Sequence, residues 1–185
     1  MKRVQDYFRS VTQALAAVPV EPVNRFIELL RNAQATGQRV FVFGNGGSAA
    51  TASHFVTDML KGAAIPGRTR LKISCLNDNV PMLTAYANDV GYAAVFAEPL
   101  AGLAVPGDVV LAISGTGNSE NVLRAMAVAR DLGLRRVGLT GFAGGRLKEL
   151  CEIPIVVPAD SMQVIEDVHL AILHAVMVSM FSTEA

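Results

Sequence analysis

The chain alternates between continuous apolar runs and amphipathic stretches along most of its length. Five apolar runs predict buried strands, over residues 39–43, 71–76, 108–113, 136–139 and 153–157. Stretches with helical spacing lie between and after them, and they predict helices over residues 48–61, 81–88, 119–132, 146–150 and 162–181. Strands that are apolar throughout and alternate with helices indicate a parallel sheet covered on both faces. We therefore predict an α/β fold, a three-layer sandwich built on a five-stranded parallel sheet.

Two further helices are predicted before the first strand, over residues 2–17 and 21–36. Gly37 is expected to end the second of them as its C-terminal cap. These two helices and the long final helix lie outside the strand–helix repeat, so we expect them to pack against each other or against another subunit. We predict that residues 1–185 form a single domain, in which residues 1–37 serve packing and oligomerisation.

The composition describes a folded protein with a large core. Of 185 residues, 51% are hydrophobic and only 17% are charged. Sixteen basic residues balance sixteen acidic ones, which leaves no electrostatic footprint for nucleic acid or an anionic membrane. So much apolar sequence with so little charge favours a homo-oligomer.

The termini and the cysteines indicate a cytoplasmic protein. The N-terminus is charged throughout and has no uninterrupted apolar core, so no signal peptide is expected. The longest apolar segment, near residues 170–181, contains His174 and is shorter than the roughly 20 residues that a bilayer requires. Cys75 and Cys151 are therefore interpreted as reduced thiols.

The first predicted strand runs into a glycine-rich loop over residues 44–48, followed by a helix. The order strand, G-N-G-G-S-A, helix fits a loose dinucleotide fingerprint, G-x-G-x-x-A. That fingerprint also requires an acidic residue about 20 residues further on, at the end of the second strand. Here the second strand ends near Asn77 and Asp78, more than 30 residues past Gly44. The spacing counts against a nicotinamide cofactor.

Two other interpretations of this loop stay open. Glycines let the backbone approach a ligand closely, and the helix N-terminus offers free N–H groups, so the loop could bind an oxyanion or hydroxyls with the help of Asn45 and Ser48. Alternatively, the loop is a tight turn in which Ser48 caps the helix.

A second strand-to-helix loop favours ligand binding over a simple turn. The third strand runs into S-G-T-G-N-S, which places four polar side chains, Ser114, Thr116, Asn118 and Ser119, within six positions. Hydroxyls and free N–H groups at a helix N-terminus suit a phosphate monoester, although a serine-rich turn is the simpler alternative. Two such loops at the carboxyl ends of parallel strands form a ligand site in open α/β sheets. We therefore predict a phosphorylated sugar as the ligand, with the phosphate on the second loop and the hydroxyl chain on the first.

Four segments together resemble one family. They are F-G-N-G-G-S-A-A-T-A-S-H-F, A-I-S-G-T-G-N-S-E-N-V, L-T-G-F-A-G-G-R-L and E-D-V-H-L-A-I-L-H. As a set they resemble the SIS (sugar isomerase) family, and within it the phosphoheptose isomerases, which convert sedoheptulose 7-phosphate to glycero-manno-heptose 7-phosphate. The resemblance spans nearly the whole chain. It implies a flavodoxin-like SIS fold, a role in heptose or lipopolysaccharide biosynthesis, and a homotetramer with active sites between subunits.

The resemblance also implies substrate-binding residues. On the first loop, on a later Asn-Asp pair and on the phosphate loop these are Asn45, Gly46, Gly47, Ser48, Asn88, Asp89, Ser114, Gly115, Thr116 and Ser119. The family's phosphate loop usually reads Ser-Thr-Ser-Gly-Asn-Ser, so one hydroxyl is missing at Gly115. Because the backbone N–H remains there, we expect phosphate binding to persist with one contact fewer.

The same resemblance implies one Zn²⁺ ion per subunit, held by His54, Asp58, Glu166 and His174. Asp58 stands where the family has Glu, and Glu166 where it has Gln. Helix spacing agrees with part of this ligand set, because positions 54 and 58 share one helix face and could bind one metal ion. Near the C-terminus, spacing alone would select Glu166 with His169, since Glu166 and His174 lie about 12 Å apart along a straight helix. His169 is instead expected to lie in the protein interior.

Catalysis is assigned to Asp58 and His174, which we expect to share the proton transfers of an aldose–ketose isomerisation through an enediol. Asp58 and Glu166 are also expected to contact the substrate. Aspartate withdraws its carboxylate by about one carbon–carbon bond relative to glutamate, and a misplacement of about 1 Å can reduce a rate about 10²-fold. Two alternatives therefore stay open. One is a non-catalytic, phosphosugar-binding regulatory protein of the type that associates with a replication initiator, and the other is an isomerase for a different sugar phosphate.

Overall fold

A computed structural model describes residues 2–62, 67 and 69–181. Its five strands are β1 (Arg39–Gly44), β2 (Lys72–Cys75), β3 (Val109–Ile113), β4 (Arg135–Thr140) and β5 (Ile153–Val156). They form one parallel sheet in the order β2-β1-β3-β4-β5. The predicted five-stranded parallel sheet is confirmed. The strand order reverses between β1 and β3, which makes their carboxyl ends the switch point at which open α/β sheets bind ligands.

The helices cover both faces of the sheet, as predicted. They are α1 (Lys2–Ala16), α2 (Val20–Thr36), α3 (Gly47–Lys61), α4 (Val80–Asp89), α5 (Ala97–Leu103), α6 (Glu120–Asp131), α7 (Leu147–Leu150) and α8 (Met162–Phe181). Helix α5 and a 3₁₀ turn over Tyr92–Ala94 were not predicted from the sequence. The seven residues of α5 include a proline and a glycine, so their intrinsic helix preference is low. Packing against α6 and the sheet stabilises this segment instead.

Two hydrophobic cores lie on opposite sides of the sheet because neighbouring residues of a strand point to opposite faces. Val40 and Val42 of β1 pack into a core formed with α1, α2, α3 and α8. Phe41 and Phe43 pack into a second core with α5 and α6, where the ring of Phe43 stacks on Phe96 with 5.0 Å between ring centroids. Every position of the central strand β3 is buried.

Helix α8 is the packing partner of α1, α2 and α3. The hydroxyl of Tyr7 on α1 donates a 2.5 Å hydrogen bond to Asp167 on α8, and His169 contacts the carbonyl of Thr140 on β4. By length and composition alone α8 could cross a membrane, and 44% of its most apolar window is buried inside the protein. Its contacts on several sides are those of a core helix in a folded domain.

Two predictions about helix ends had different outcomes. Gly37 caps α2, as predicted, with a positive φ of 77° and an N–H that donates to Ala33. The alternative that Ser48 caps the first loop's helix is wrong. Helix α3 begins at Gly47 and follows Gly46, whose φ is 56°, so Ser48 lies inside the first turn and is buried. A positive φ at the residue before the helix favours glycine over a side-chain cap.

Candidate active site

Both glycine-rich loops open into one cleft at the carboxyl edge of the sheet. Gly44 pairs with Ile113 in the β1–β3 register, so the two loops leave the sheet at the same level. The cleft has a volume of about 290 Å³ and is closed on one side by the first two turns of α8. Nine residues predicted from the sequence line it, namely Asn45, Gly46, Gly47, Ser48, Ser114, Gly115, Thr116, Ser119 and Glu166. The structure thus brings the two predicted binding loops together.

The second loop presents hydroxyl groups at the N-terminus of a helix. Ser114 and Ser119 lie with their Oγ atoms 3.3 Å apart, and Ser119 immediately precedes α6. Among the residues that line the cleft, Glu166 is the only one with a charged side chain. An anion bound here would therefore be held by hydroxyls, backbone N–H groups and the positive end of the helix dipole.

A third loop, between β4 and α7, supports the second loop from behind. The backbone N–H of Gly141 donates to the carbonyl of Gly115, and that of Leu147 donates to the carbonyl of Gly117, both at 2.9 Å. A β carbon built on Gly117 would lie 2.1 Å from the carbonyl oxygen of Gly144. The glycines of the G-F-A-G-G-R segment therefore allow two backbone loops to touch. The role of the G-F-A-G-G-R segment is therefore to pack against the second loop.

Gly115, where a hydroxyl of the family pattern is missing, faces Met162 of α8. A β carbon built on Gly115 would lie 2.4 Å from the Sδ atom of Met162 and 3.2 Å from its terminal methyl carbon. A thioether therefore fills the space in which a side chain at position 115 would start. Both residues line the cleft.

The first loop is held by residues that sequence reasoning missed. Asn45 exchanges two 2.9 Å hydrogen bonds with the side chain of Asn121 on α6, and the hydroxyl of Tyr92 donates to Asn45 Oδ1 at 3.0 Å. Asn77 accepts from the N–H of Gly44 and donates to its carbonyl. Asn121 is only 3% exposed. A polar residue at a core-facing position of the amphipathic helix α6 was the signal in the sequence that could have identified it.

Beyond the cleft, His54, Asp58 and His174 bring three ligand atoms together. The Nε2 atoms of the two histidines lie 3.1 Å apart, and they lie 3.2 and 3.4 Å from Asp58 Oδ2. In a tetrahedral Zn²⁺ site with metal–ligand distances of about 2.0–2.2 Å, neighbouring ligand atoms lie about 3.3–3.6 Å apart. The observed separations are close to that spacing, and two imidazoles with one carboxylate are ligands that Zn²⁺ accepts. These three residues fit a zinc ion.

Comparison with known proteins identifies the family. The sequence model of the SIS domain matches residues 6–141. The chain belongs to the SIS domain family. A phosphoheptose isomerase from Trichlorobacter lovleyi is 36% identical over 173 residues, which cover 94% of this chain and 87% of the relative. One from Mycobacterium bovis is 46% identical over 140 residues, covering 76% of this chain and 71% of the relative.

The three-dimensional comparison supports the same placement. The solved structure of a phosphoheptose isomerase from Francisella tularensis matches with a TM-score of 0.90 at 31% identity, covering 97% of this chain and 96% of that one. The SIS fold predicted from the sequence is confirmed. Within the SIS family, this chain is similar to the phosphoheptose isomerases over nearly its full length.

Four predicted site residues of this SIS protein lie apart from a group with which they were placed: Glu166 from the metal cluster, and Asp58, Asn88 and Asp89 from the substrate-binding cleft. Glu166 lines the cleft, where a β carbon on Gly47 would lie 2.6–2.7 Å from its carboxyl group, and it is not part of the three-residue cluster found in the described chain. The reason is the rise of about 12 Å along α8 between positions 166 and 174. Asn88 and Asp89 are exposed at the end of α4, bonded to each other at 2.7 Å, and are not among the residues that line the cleft.

The remaining histidine and the two cysteines do not belong to the site. His169 is buried, as predicted, and burial lowers its pKa to about 4, so it is uncharged at neutral pH. Cys75 and Cys151 are both free thiols. Burial raises the pKa of each to about 12. Since the thiolate is the reactive form, neither cysteine is suited to nucleophilic chemistry.

Proposed function

We propose that this SIS protein is a phosphoheptose isomerase, which converts sedoheptulose 7-phosphate to D-glycero-D-manno-heptose 7-phosphate. The observation that carries the proposal is the single cleft shared by the two loops. One loop offers hydroxyls and a helix N-terminus for a phosphate, and the other offers polar groups and an open glycine backbone for a polyhydroxylated chain. Relatives named phosphoheptose isomerase, similar over most of their length, support the same activity.

In this proposal the substrate lies along the first turns of α8. Its phosphate binds the loop from Ser114 to Ser119, and its hydroxyls contact the loop from Asn45 to Ser48 together with Glu166. Asn88 and Asp89 do not line the cleft of their own chain, so we place them in contact with the sugar bound to a neighbouring subunit. This assignment follows the family resemblance and requires the oligomer.

The chemistry is a proton transfer between adjacent carbons through an enediol. We assign the acid and base roles to Asp58 and His174, whose Oδ2 and Nε2 atoms lie 3.4 Å apart. His54, Asp58 and His174 would hold one Zn²⁺ ion, whereas Glu166, the fourth ligand implied by the family resemblance, lines the cleft in this chain. When bound, the ion would polarise the substrate carbonyl and stabilise negative charge on its oxygen.

The proposal includes assembly and location. We place the chain, as one SIS domain over residues 1–185, in a cytoplasmic homotetramer whose active sites lie between subunits. Residues 1–37 contribute to that packing. Helix α1 supports this assignment because Phe8 is 63% exposed and Val4 56% exposed, although both are large apolar side chains.

Turnover of the named substrate tests the proposal directly. Purified protein is incubated with sedoheptulose 7-phosphate, with and without added Zn²⁺, and the aldose product is measured by NMR or chromatography. We expect conversion that increases with Zn²⁺ and is lost in His174→Ala. A wild-type protein that binds the sugar phosphate without converting it would contradict the isomerase assignment.

A non-catalytic phosphosugar-binding protein is the second candidate, favoured by one observation. The Asp58 carboxylate stands where the family has a longer Glu, and it lies against both imidazoles and outside the cleft. An isomerase for a different sugar phosphate is the related alternative, since Gly115 and Glu166 also depart from the family pattern. A panel of aldose and ketose phosphates in the same assay separates these candidates from the first.

A further inference from the structure

The two loops of the cleft are joined by a hydrogen-bonded pair of side-chain amides. Asn45 belongs to the first loop, and Asn121 lies in the first turn of α6, two residues after Ser119. Each amide donates to the oxygen of the other at 2.9 Å. Asn45 is half-buried and lines the cleft, whereas Asn121 is buried and does not.

A backbone group sets the direction of these bonds. The N–H of Val122 donates to Asn121 Oδ1 at 3.0 Å, and a backbone N–H can only donate, so this arm of Asn121 is its oxygen. The other arm, Nδ2, therefore faces Asn45 and donates to Asn45 Oδ1. Tyr92 adds a second donor to the same oxygen at 3.0 Å. The oxygen of Asn45 is thus satisfied twice, and its orientation is fixed.

The amide nitrogen of Asn45 is left with one hydrogen to offer. An amide NH₂ has two donors, and one of them is used by Asn121. Among the residues that the structure describes, no second acceptor for this nitrogen is found. Because Asn45 lines the cleft, the remaining N–H is available to a ligand there.

A fixed N–H donor binds a charged phosphate oxygen more strongly than a hydroxyl oxygen. A hydroxyl both donates and accepts, so it would bind an amide in either orientation. A phosphate oxygen only accepts, and it binds a correctly oriented N–H with the strength of a charge-assisted hydrogen bond. The position of Asn45 beside the first turn of α6 is also where the phosphate is expected. The network therefore fits a phosphate oxygen as the partner of Asn45.

We propose that Asn45 donates a hydrogen bond to the substrate phosphate, and that Asn121 is a positioning residue that fixes the polarity of the Asn45 amide. The first loop then belongs in part to the phosphate site, which was assigned above to the second loop alone. The inference rests on the proposed function only in taking a phosphorylated sugar as the ligand. It requires no turnover.

Binding measurements on three variants test the inference. Inorganic phosphate and sedoheptulose 7-phosphate are titrated by calorimetry into wild type, Asn45→Ala, Asn121→Leu and the double variant, with unphosphorylated sedoheptulose as the matched ligand control. We expect Asn45→Ala to weaken phosphate binding by about tenfold or more, the scale of a hydrogen bond to a charged group. Asn121→Leu should weaken it about three- to tenfold in the wild-type background. It should have less than about a twofold effect once Asn45 is alanine, because an effect transmitted through Asn45 disappears with it.

The same cycle contains the results that would overturn the inference. If Asn121→Leu weakens phosphate binding equally in both backgrounds, Asn121 has a merely structural role. If Asn45→Ala leaves the affinity for phosphate unchanged, Asn45 does not contact it. Should Asn121→Leu fail to fold, Tyr92→Phe replaces it in the cycle, with an expected two- to threefold loss that again vanishes in the Asn45→Ala background.

Nuclear magnetic resonance supplies a readout that a structural role would not change. In protein labelled with ¹⁵N-asparagine, the Asn45 side-chain signals are assigned by their absence in Asn45→Ala. We expect one of the two Nδ2 protons to shift on addition of phosphate, and this selective shift to be lost without Asn121. An absence of turnover combined with these binding results would contradict the proposed function only. Turnover with phosphate affinity independent of Asn45 would contradict the present inference only.

Discussion

At the scale of single residues, the cleft depends on pairs of positions that share one space or one ligand. Met162 occupies the volume next to the Cα atom of Gly115, and Glu166 occupies the volume next to Gly47. A side chain at either glycine would require the facing side chain of α8 to shift. The departure of Gly115 from the family pattern is therefore matched by a large residue across the cleft. The two residues, Gly115 and Met162, are 47 positions apart in the sequence and meet only in the folded protein.

This steric match predicts the outcome of restoring the family residue. Gly115→Thr should lower the free energy of unfolding by about 1–3 kcal/mol, because its β carbon overlaps the sulfur of Met162. Combining it with Met162→Ala should recover most of that loss. Urea unfolding of both single variants and the double variant measures the effect. Equal stability of Gly115→Thr with and without Met162→Ala would show that the two side chains do not compete.

The histidine–carboxylate cluster predicts a metal site at the same scale. His54→Ala removes one of three converging ligand atoms, so Zn²⁺ affinity should fall by more than about 100-fold. Calorimetric titration of chelator-treated protein with Zn²⁺ measures this. His169→Gln is the matched control, since it also removes a histidine but leaves the cluster intact, and its Zn²⁺ affinity should equal that of wild type. A wild-type protein with no tight Zn²⁺ site would refute the metal assignment.

At the scale of elements, α8 connects the cleft to the cluster of His54, Asp58 and His174. Its first turns carry Met162 and Glu166 into the cleft, and a later turn carries His174 to the cluster. Between them, His169 attaches the helix to β4, through Nε2 and the carbonyl oxygen of Thr140, 3.0 Å apart. His169 is buried at this attachment, and burial disfavours its charged form.

The stability of the protein should consequently decrease in mild acid. The pKa of His169 is about 4 when folded, below its ordinary value of 6.5, because burial disfavours the charged form. Below pH 6.5 the unfolded chain takes up a proton that the folded chain does not. The free energy of unfolding is therefore unaffected by His169 above pH 6.5. Between pH 6.5 and pH 4 it falls by about 1.4 kcal/mol per pH unit.

Chemical denaturation between pH 7 and pH 4 measures this loss. His169→Gln keeps a donor for Thr140 but does not titrate in this range, so its stability should depend less steeply on pH than that of wild type. Identical pH profiles for the two proteins would show that His169 is not responsible.

At the scale of the whole molecule, the described surface carries exposed apolar side chains on and beside α1. Helix α1 packs on α8 through one side and presents Val4 and Phe8 on another. A groove between α1, α2 and α8 is lined mainly by apolar side chains, among them Val20 and Ile27. Exposed apolar patches are typical of surfaces that bind another protein chain. This surface agrees with the proposed packing role of residues 1–37.

Disrupting this surface should dissociate the proposed tetramer. Phe8→Glu places a charge on the apolar face of α1, so its light-scattering mass should fall from about four times the 19.6 kDa of one chain towards that of a smaller species. Isomerase activity should decrease with it, because Asn88 and Asp89 do not reach the cleft of their own chain. Gln5→Glu adds the same charge at a polar, exposed position of the same helix and should leave the assembly intact. A wild-type protein that is monomeric would contradict the prediction.

Much of the fold could be predicted because short sequence patterns mark its strands and its helix ends. Apolar runs in β1 and β3 marked buried strands, and Gly37 ended α2 where its φ of 77° requires glycine. The short helix α5 was missed because its stability comes from neighbours. Eight of the eleven residues lining the cleft were predicted because they cluster in two loops, and Glu166 was predicted from the family resemblance. Asn121 was missed because a buried amide resembles a packing residue until its partner is known.

The sequence by itself determined the parallel α/β architecture and the identity of the two binding loops, since both follow from periodicity and from glycine and hydroxyl residues adjacent in the chain. Only the tertiary structure decided which distant residues meet. It joined Asn45 to Asn121, placed Met162 against Gly115, and separated Glu166 from His54, Asp58 and His174. The physical reason is that local patterns specify elements, while the distance between two side chains on different elements is set by how those elements pack.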